Sequence, residues 1–374
     1  MTMRVLCSPS VFLAGVSLVA LALGCEDKKP TPTPQGAGSA AVTAAPSASA
    51  AAKVVTVDKA LLNAYDKLPA KFESAGNPIT DEKVALGKML YFETRLSKSQ
   101  TISCNSCHDV DKFGVDGEPT SKGHKDQRGG RNSPTVYNAA GHIAQFWDGR
   151  AKDVEEQAVG PILNPIEMAM KDDKAVIAVL ASMPEYPAAF KKAFPTDKDP
   201  LTYPNVGKAI GAFERTLVTP SRWDKYIGGD DSALTDTEKA GFLAFTNTGC
   251  NTCHAGSLFG GREYKKLGLA KPWPTEVKDQ GRFEATKDAA DKGHFKVPSL
   301  RNIEKTAPYM HDGSIKSLDE MVKLMARHQL TKELSDDEVK SIVAFLKTLT
   351  GEPAKITKPE LPKSGPKTPK PDAT

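Results

Sequence analysis

Strand signals are nearly absent from this 374-residue sequence, and no stretch reads as strand–helix–strand. That removes the βαβ setting a thioredoxin-like cysteine pair would need. No basic stripe accompanies the formal net charge of +4, so nucleic acid is not an expected partner. The apolar run "VFLAGVSLVALAL" follows Arg4 and is too short for a comfortable membrane span, so residues 1–24 read as an export leader. Cysteine is scarce. Of six residues, Cys7 falls in the leader, Cys25 ends it, and four form two Cys-x-x-Cys-His motifs, leaving none for a structural disulfide.

The segment "LALGC" resembles the lipobox of bacterial lipoproteins, which makes Cys25 the expected lipid anchor. Residues 25–55, rich in Pro, Ala, Ser and Gly, cannot bury a core and are expected to be a disordered tether. The Lys- and Pro-rich residues 351–374 are expected to be a disordered tail. Between them helical signals dominate. "NPITDEKVALGKMLYF" offers a Thr80 cap, acidic Asp81 and Glu82, and an apolar face of Leu86, Met89 and Leu90. Capping boxes are expected at Thr235/Glu238, Ser317/Glu320 and Ser335/Glu338, the last helix stopping at Gly351.

The chemistry is concentrated in Cys104-x-x-Cys107-His108 and Cys250-x-x-Cys253-His254. Two thiols at this spacing can add to the vinyl groups on one edge of a porphyrin, and the adjacent histidine then serves as the iron's proximal ligand. Zinc would need four ligands at each site, and neither motif has further cysteines nearby. Two covalently bound haems c are therefore expected, each following a helical segment. The fold class is all-α: two cytochrome c-like haem domains with long loops, spanning 56–230 and 231–350.

His124 lies sixteen residues past His108 (124 − 108), among Gly123, Gly129 and Gly130, and on it turns whether the first iron is capped or open. Its loop holds five glycines between Phe113 and Arg131 and little apolar anchoring, so displacing it is expected to cost little. For the second iron, Met325 shares a helix face with Met321 and Val322. Met310, His311, Met321 and His328 compete with it on spacing. A thioether ligand would favour the ferrous state and raise the potential.

The chain resembles the bacterial dihaem cytochrome c peroxidases. The resemblance is carried by "LGKMLYFETRLSKSQTISCNSCH", "GHKDQRGGRNSPTVYNAA", "AQFWDGRAKDVEEQAVGPILNPIEM", "MPEYPAAFKKAFP", "GCNTCHAG", "KVPSLRNIEKTAPYMHDGSIKSLDEMV" and "LSDDEVKSIVAFL", in the family's order across residues 76–350. It implies periplasmic reduction of hydrogen peroxide to two waters, with electrons from a small c-type cytochrome or a blue copper protein. The second haem, on His254 and Met325, would receive electrons. The first, on His108, would meet peroxide once His124 withdraws. Glu167 and Gln157 match the family's distal pair, and Trp147 its tryptophan between the haems. Asn132, with the carbonyls of Thr306 and Pro308, would bind Ca²⁺. A homodimer is implied. His311 lies in a family hallmark without a derivable role, and His142, His294 and His328 read as surface or core histidines.

Two other functions compete. A dihaem oxidase that matures methylamine dehydrogenase carries Tyr where Met325 stands and typically lacks the capping histidine. A plain dihaem electron carrier would keep both irons six-coordinate and make no use of Glu167. Met325→His is expected to lower the potential of the second haem and impair activation. An unchanged potential in a redox titration would remove Met325 as the ligand.

Overall fold

The computed structural model describes residues 54–372 and 374. The leader, Cys7, Cys25 and nearly all of the tether lie outside the described residues. The chain is mostly helical. Its longer helices are α1 (Asp81–Tyr91), α2 (Val154–Leu163), α3 (Asp173–Ala181), α4 (Glu185–Ala193), α5 (Tyr203–Glu214), α6 (Asp236–Thr248), α7 (Leu318–Leu330) and α8 (Asp336–Lys347). Two three-residue strands, β1 (Tyr264–Lys266) and β2 (His294–Lys296), pair antiparallel with Tyr264 opposite Lys296. No described helix is long and apolar enough to cross a membrane.

The caps follow the sequence closely. Thr80 accepts from the Lys83 amide, and full capping boxes form at Thr235/Glu238 and Ser335/Glu338. At Ser317 only half the box forms, the hydroxyl accepting from the Glu320 amide. Helix α8 ends at Lys347 rather than running to Gly351, because the Thr348 hydroxyl turns back onto the Phe345 carbonyl.

Two large apolar clusters form. One draws on α1 to α5, with Leu86, Leu90, Ile162, Phe190 and Ile210 fully buried. The other gathers Tyr65, Trp223, Phe242, Phe259 and Phe345, with Val57 at its edge. Near the start of the described residues, Val55 donates to Asp236 at 3.1 Å and Val57 is buried.

Each cluster is closed by a helix pair meeting at a glycine. A Cβ on Gly87 of α1 would lie 1.9 Å from the Ala209 carbonyl oxygen of α5 and 3.0 Å from the Phe213 Cβ. A Cβ on Gly241 of α6 would lie 1.9 Å from the Ser341 carbonyl oxygen of α8 and 2.9 Å from the Phe345 Cβ. In both pairs the contacted phenylalanine lies four residues beyond the contacted carbonyl, so one packing solution is used twice. In both, the glycine-bearing helix is the last helix of three turns or more before a Cys-x-x-Cys-His motif.

The tail departs from expectation. From Gly351, whose amide donates to Asn302 at 3.0 Å, the chain runs extended across the first cluster, where Ile356 packs. Ser364 accepts from Arg95 at 3.1 Å, Thr368 bonds Ser182 at 2.8 Å, Pro369 accepts from Gln100 at 2.8 Å, and Asp372 pairs with Lys98 at 3.2 Å. The composition argument correctly denies the tail a core of its own. It does not forbid a proline-stiffened strand from satisfying its polar groups on another surface.

Gly87→Ala and Gly241→Ala are each expected to destabilise the protein by about 1–3 kcal/mol, because a backbone carbonyl cannot step aside as a side chain can. Thermal unfolding of the two variants tests this, and an unchanged melting temperature would show that the helices separate freely.

Candidate functional site

The first motif forms a short helical turn, Cys104–Cys107, whose Ser103 cap exchanges bonds with Ser106. The second forms a 3₁₀ turn, Cys250–Thr252, entered through Gly249 at φ +98°. In each the histidine amide bonds the carbonyl of the first cysteine at 3.0 Å, which turns the imidazole back over the motif. The His108 Nδ1 lies 3.0 Å from the Pro134 carbonyl, and the His254 Nδ1 2.9 Å from the Phe259 carbonyl. A carbonyl can only accept, so both Nδ1 atoms carry the proton and both Nε2 atoms present a lone pair. Burial lowers the pKa of both rings against the pull of those carbonyls, favouring the neutral, ligating form.

The four cysteines are free, and burial pushes the Cys107 thiol up to about 11 and the Cys250 thiol up to about 12. Among the described residues no group of three or more His, Cys, Asp and Glu side chains is arranged to hold a metal ion. Beside the second motif, the Tyr65 hydroxyl, Thr246 hydroxyl and Trp223 Nε1 are buried without partners. Tyr65 stacks on Phe259 at 4.5 Å, and Phe242 and Phe345 complete an aromatic wall around Trp223. Paired thiols and a neutral histidine with a free Nε2 fit a covalently bound haem at each motif, and the second has this aromatic wall beside it.

His124 is buried in a 3₁₀ turn, His124–Asp126. Its amide reaches both the Ile166 carbonyl at 2.9 Å and the Glu167 carbonyl at 2.8 Å. A Cβ on Gly123 would lie 2.0 Å from the Ile166 oxygen, so this approach requires glycine. The loop therefore has polar backbone anchors where apolar ones are lacking. The imidazole is looser: Nδ1 is buried without a partner and Nε2 lies 3.4 Å from the Thr374 carbonyl.

Glu167 stands on the turn that holds this loop. Its Oε1 accepts from the Asn164 Nδ2 at 3.0 Å, and its amide donates to the Asn164 carbonyl at 3.0 Å. Burial raises its pKa, opposed by the charge of Arg150 and by the Asn164 bond. Gln157 lies half-buried on α2, with no hydrogen bond to Glu167.

Trp147, Asn132 and His311 meet in one assembly. The Trp147 indole donates to the Asn132 carbonyl at 3.0 Å, and the Asn132 amide donates to the His311 carbonyl at 2.7 Å. The His311 ring stacks on Phe295 at 4.4 Å and meets Trp147 edge-on at 6.4 Å. This gives His311 a positioning seat that its motif did not reveal. The Asn132 side chain donates to the Glu118 carbonyl at 3.0 Å. A cleft of about 330 Å³ is lined by Gly117, Glu118, Pro119, Ala307, Pro308 and Lys316. Among the described residues, the Thr306 and Pro308 carbonyls accept no backbone hydrogen bond, leaving both oxygens available.

Met325 is half-buried on α7, and Val322 on the same helix packs against the second cluster. His328 is committed elsewhere, its Nδ1 2.6 Å from the Pro272 carbonyl. Two features had no sequence signal. Arg131 grips Asp148 at 2.5 Å, Asp279 at 2.6 Å and Glu284 at 2.9 Å. Lys296, buried on β2, donates to the His142 Nδ1 at 2.8 Å.

Residues 81–232 match the family model described as di-haem cytochrome c peroxidase. The chain is 49% identical over 297 residues to cytochrome c551 peroxidase of Nitrosomonas europaea, covering 79% of this chain and 88% of the relative. It is 47% identical to cytochrome c551 peroxidase of Pseudomonas aeruginosa over 303 residues, 80% of this chain and 87% of the relative. Among solved structures, a MauG-like protein associated with microbial copper homeostasis superposes with a TM-score of 0.69 at 29% identity, over 77% of this chain and 94% of that one.

Proposed function

The chain belongs to the di-haem cytochrome c peroxidase family and is a cytochrome-c peroxidase, and from that premise we propose how its own residues divide the work. The family implies two haems c and hydrogen peroxide as substrate, and the two Cys-x-x-Cys-His motifs supply the attachment. We assign Cys104, Cys107 and His108 to a peroxidatic haem in an N-terminal domain of residues 56–230. Cys250, Cys253 and His254, with Met325, serve an electron-transfer haem in a C-terminal domain of residues 231–350. The haems, when bound, supply the one-electron redox chemistry and the open iron position that peroxide requires.

The observation that carries the assignment is the shared turn at 164–168, which buttons the His124 loop with its carbonyls and presents the Glu167 carboxyl. His124 caps the first site at rest. Once it withdraws, Glu167 accepts a proton from hydrogen peroxide at Oε2, the oxygen not bonded to Asn164, and returns it to the departing oxygen. Burial raises its pKa, which makes the carboxylate a stronger base for the first transfer and a proton donor for the second. Gln157 orients the peroxide, and Trp147 couples the two haem sites through its packed indole. Asn132, with the carbonyls of Thr306 and Pro308, binds Ca²⁺ with waters completing the shell. That would fix the end of the His124 loop.

The electron donor is a small c-type cytochrome or a blue copper protein in the periplasm. The protein is held at a membrane through lipid on Cys25 and works as a homodimer. The maturation oxidase is disfavoured because Met325 and His124 are both present. The plain carrier is disfavoured because Asn164 holds a partly buried carboxyl in place for no electron-transfer purpose.

Glu167→Gln is expected to cut kcat/KM for peroxide by about 10²–10⁴-fold. The Asn164 donor favours the charged carboxylate, so Asn164→Ala should raise the Glu167 pKa and move the acid limb of kcat/KM to higher pH. A limb that stays in place would detach Glu167 from the proton transfer. His124→Gly should be active without prior reduction, with a first haem already high-spin when oxidised. If that variant still needs a reducing step, the cap lies elsewhere.

A further inference from the structure

Lys296 presents an unbalanced charge. It is 6% exposed, and its Nζ has one hydrogen-bond partner among the described residues, the His142 Nδ1 at 2.8 Å. Burial lowers the ammonium pKa to about 8 with no opposing contribution from a carboxylate. Burying a cation beside only a neutral ring costs several kcal/mol unless an anion comes to it. The imidazole is neutral because the ammonium donates to Nδ1, so its proton sits on Nε2. That Nε2 is itself buried without a partner. Lysine and histidine thus offer unspent donors at one buried place, which is the chemistry of a carboxylate seat.

The pair is built into the surroundings of the second motif. The His142 ring lies against the Cα of Gly261, where a Cβ would come within 2.6 Å of Cδ2. Gly261 is two residues beyond Phe259, whose carbonyl holds the His254 Nδ1. The Ile143 amide donates to the Gly261 carbonyl at 2.8 Å, and the Gly261 amide to the Val297 carbonyl at 2.7 Å. The Lys296 amide donates to the Trp147 carbonyl at 2.8 Å. These backbone bonds fix both side chains relative to the loop that orients His254.

Resting on the two-haem reading, we propose that Lys296 and His142 together seat a propionate of the second haem. The haem propionates are the anions such a chain carries into its interior, and this pair supplies the missing counter-charge and an additional donor. The ammonium stabilises the reduced haem electrostatically, so Lys296 acts as a positioning and potential-setting residue that does not touch the iron.

The test uses the full dihaem protein and needs no peroxide turnover, so its failure is distinct from failure of the peroxidase reading. Haem content is read by mass, and the two potentials by spectroelectrochemical titration. Lys296→Gln should make the second haem about tenfold harder to reduce, a fall of about 59 mV for one electron. It should also shift a propionate-bending mode in resonance Raman. Lys296→Arg, which keeps the charge, should restore most of the potential. Should Lys296→Gln fail to fold, His142→Ala provides the second arm, with a smaller fall in the same potential and the same Raman shift. A loaded, folded Lys296→Gln or His142→Ala protein with the second potential and the Raman mode unchanged would overturn the proposal. So would a shift confined to the first haem.

Discussion

A carbonyl oxygen pressed against a glycine Cα fixes a helix pair in each of the two large apolar clusters. At Gly87 the partner is the Ala209 oxygen and at Gly241 the Ser341 oxygen, and neither contact leaves room for a methyl group. Helices that meet this closely cannot slide, because the side chains on either side interlock at the same point. The consequence reaches the cysteines. Helix α6 runs into Cys250 with only Gly249 between them, and α1 leads through a short 3₁₀ turn to Cys104. The direction in which each motif opens is therefore set by a packing contact one element upstream. Each histidine is then turned by a carbonyl from a segment beyond its motif, Pro134 in one case and Phe259 in the other.

The stretch from 131 to 148 joins these two arrangements. Arg131 binds Asp148 on its own side and Asp279 and Glu284 far along the chain, so one guanidinium gathers three carboxylates. Asp148 is 4% exposed at its side chain, and a carboxylate so placed depends on that guanidinium. Next to it, Trp147 is held at the indole by the Asn132 carbonyl and at its own carbonyl by the Lys296 amide. Nothing in this junction is free to rotate alone.

What the sequence disclosed and what it withheld divide along a physical line. Thr235 and Ser335 were legible as caps because their partners lie three residues away, and Ser317 failed only in the returning half of its box. The Cys-x-x-Cys-His motifs were legible because attachment chemistry fixes their spacing. Arg131 was not, since its partner Asp279 is 148 residues downstream. Lys296 carries no signal in the sequence, and only the fold shows that its side chain on β2 is buried against His142. The tail misled for a third reason. Composition reports whether a segment can build a core, and residues 351–372 build none, but composition is silent about a surface prepared elsewhere by Arg95, Gln100 and Ser182.

The turn at 164–168 makes capping and proton transfer a single device on the proposed reading. The His124 amide is bonded to the carbonyls of Ile166 and Glu167, while the Glu167 carboxyl is held by Asn164 at the start of the same turn. If the whole loop withdrew, both carbonyls would lose their donor and the turn that aims the carboxyl would loosen as the site opened. If only the imidazole swung away, the backbone bonds would persist and Glu167 would stay aimed. The imbalance of anchoring favours the second movement. The His124 backbone makes two good hydrogen bonds, whereas its ring has an unpartnered Nδ1 and only a 3.4 Å contact at Nε2. A weakly held ring on a firmly held backbone can leave an iron without disturbing the acid beside it. The loop's glycines then serve close approach at Gly123 as much as flexibility.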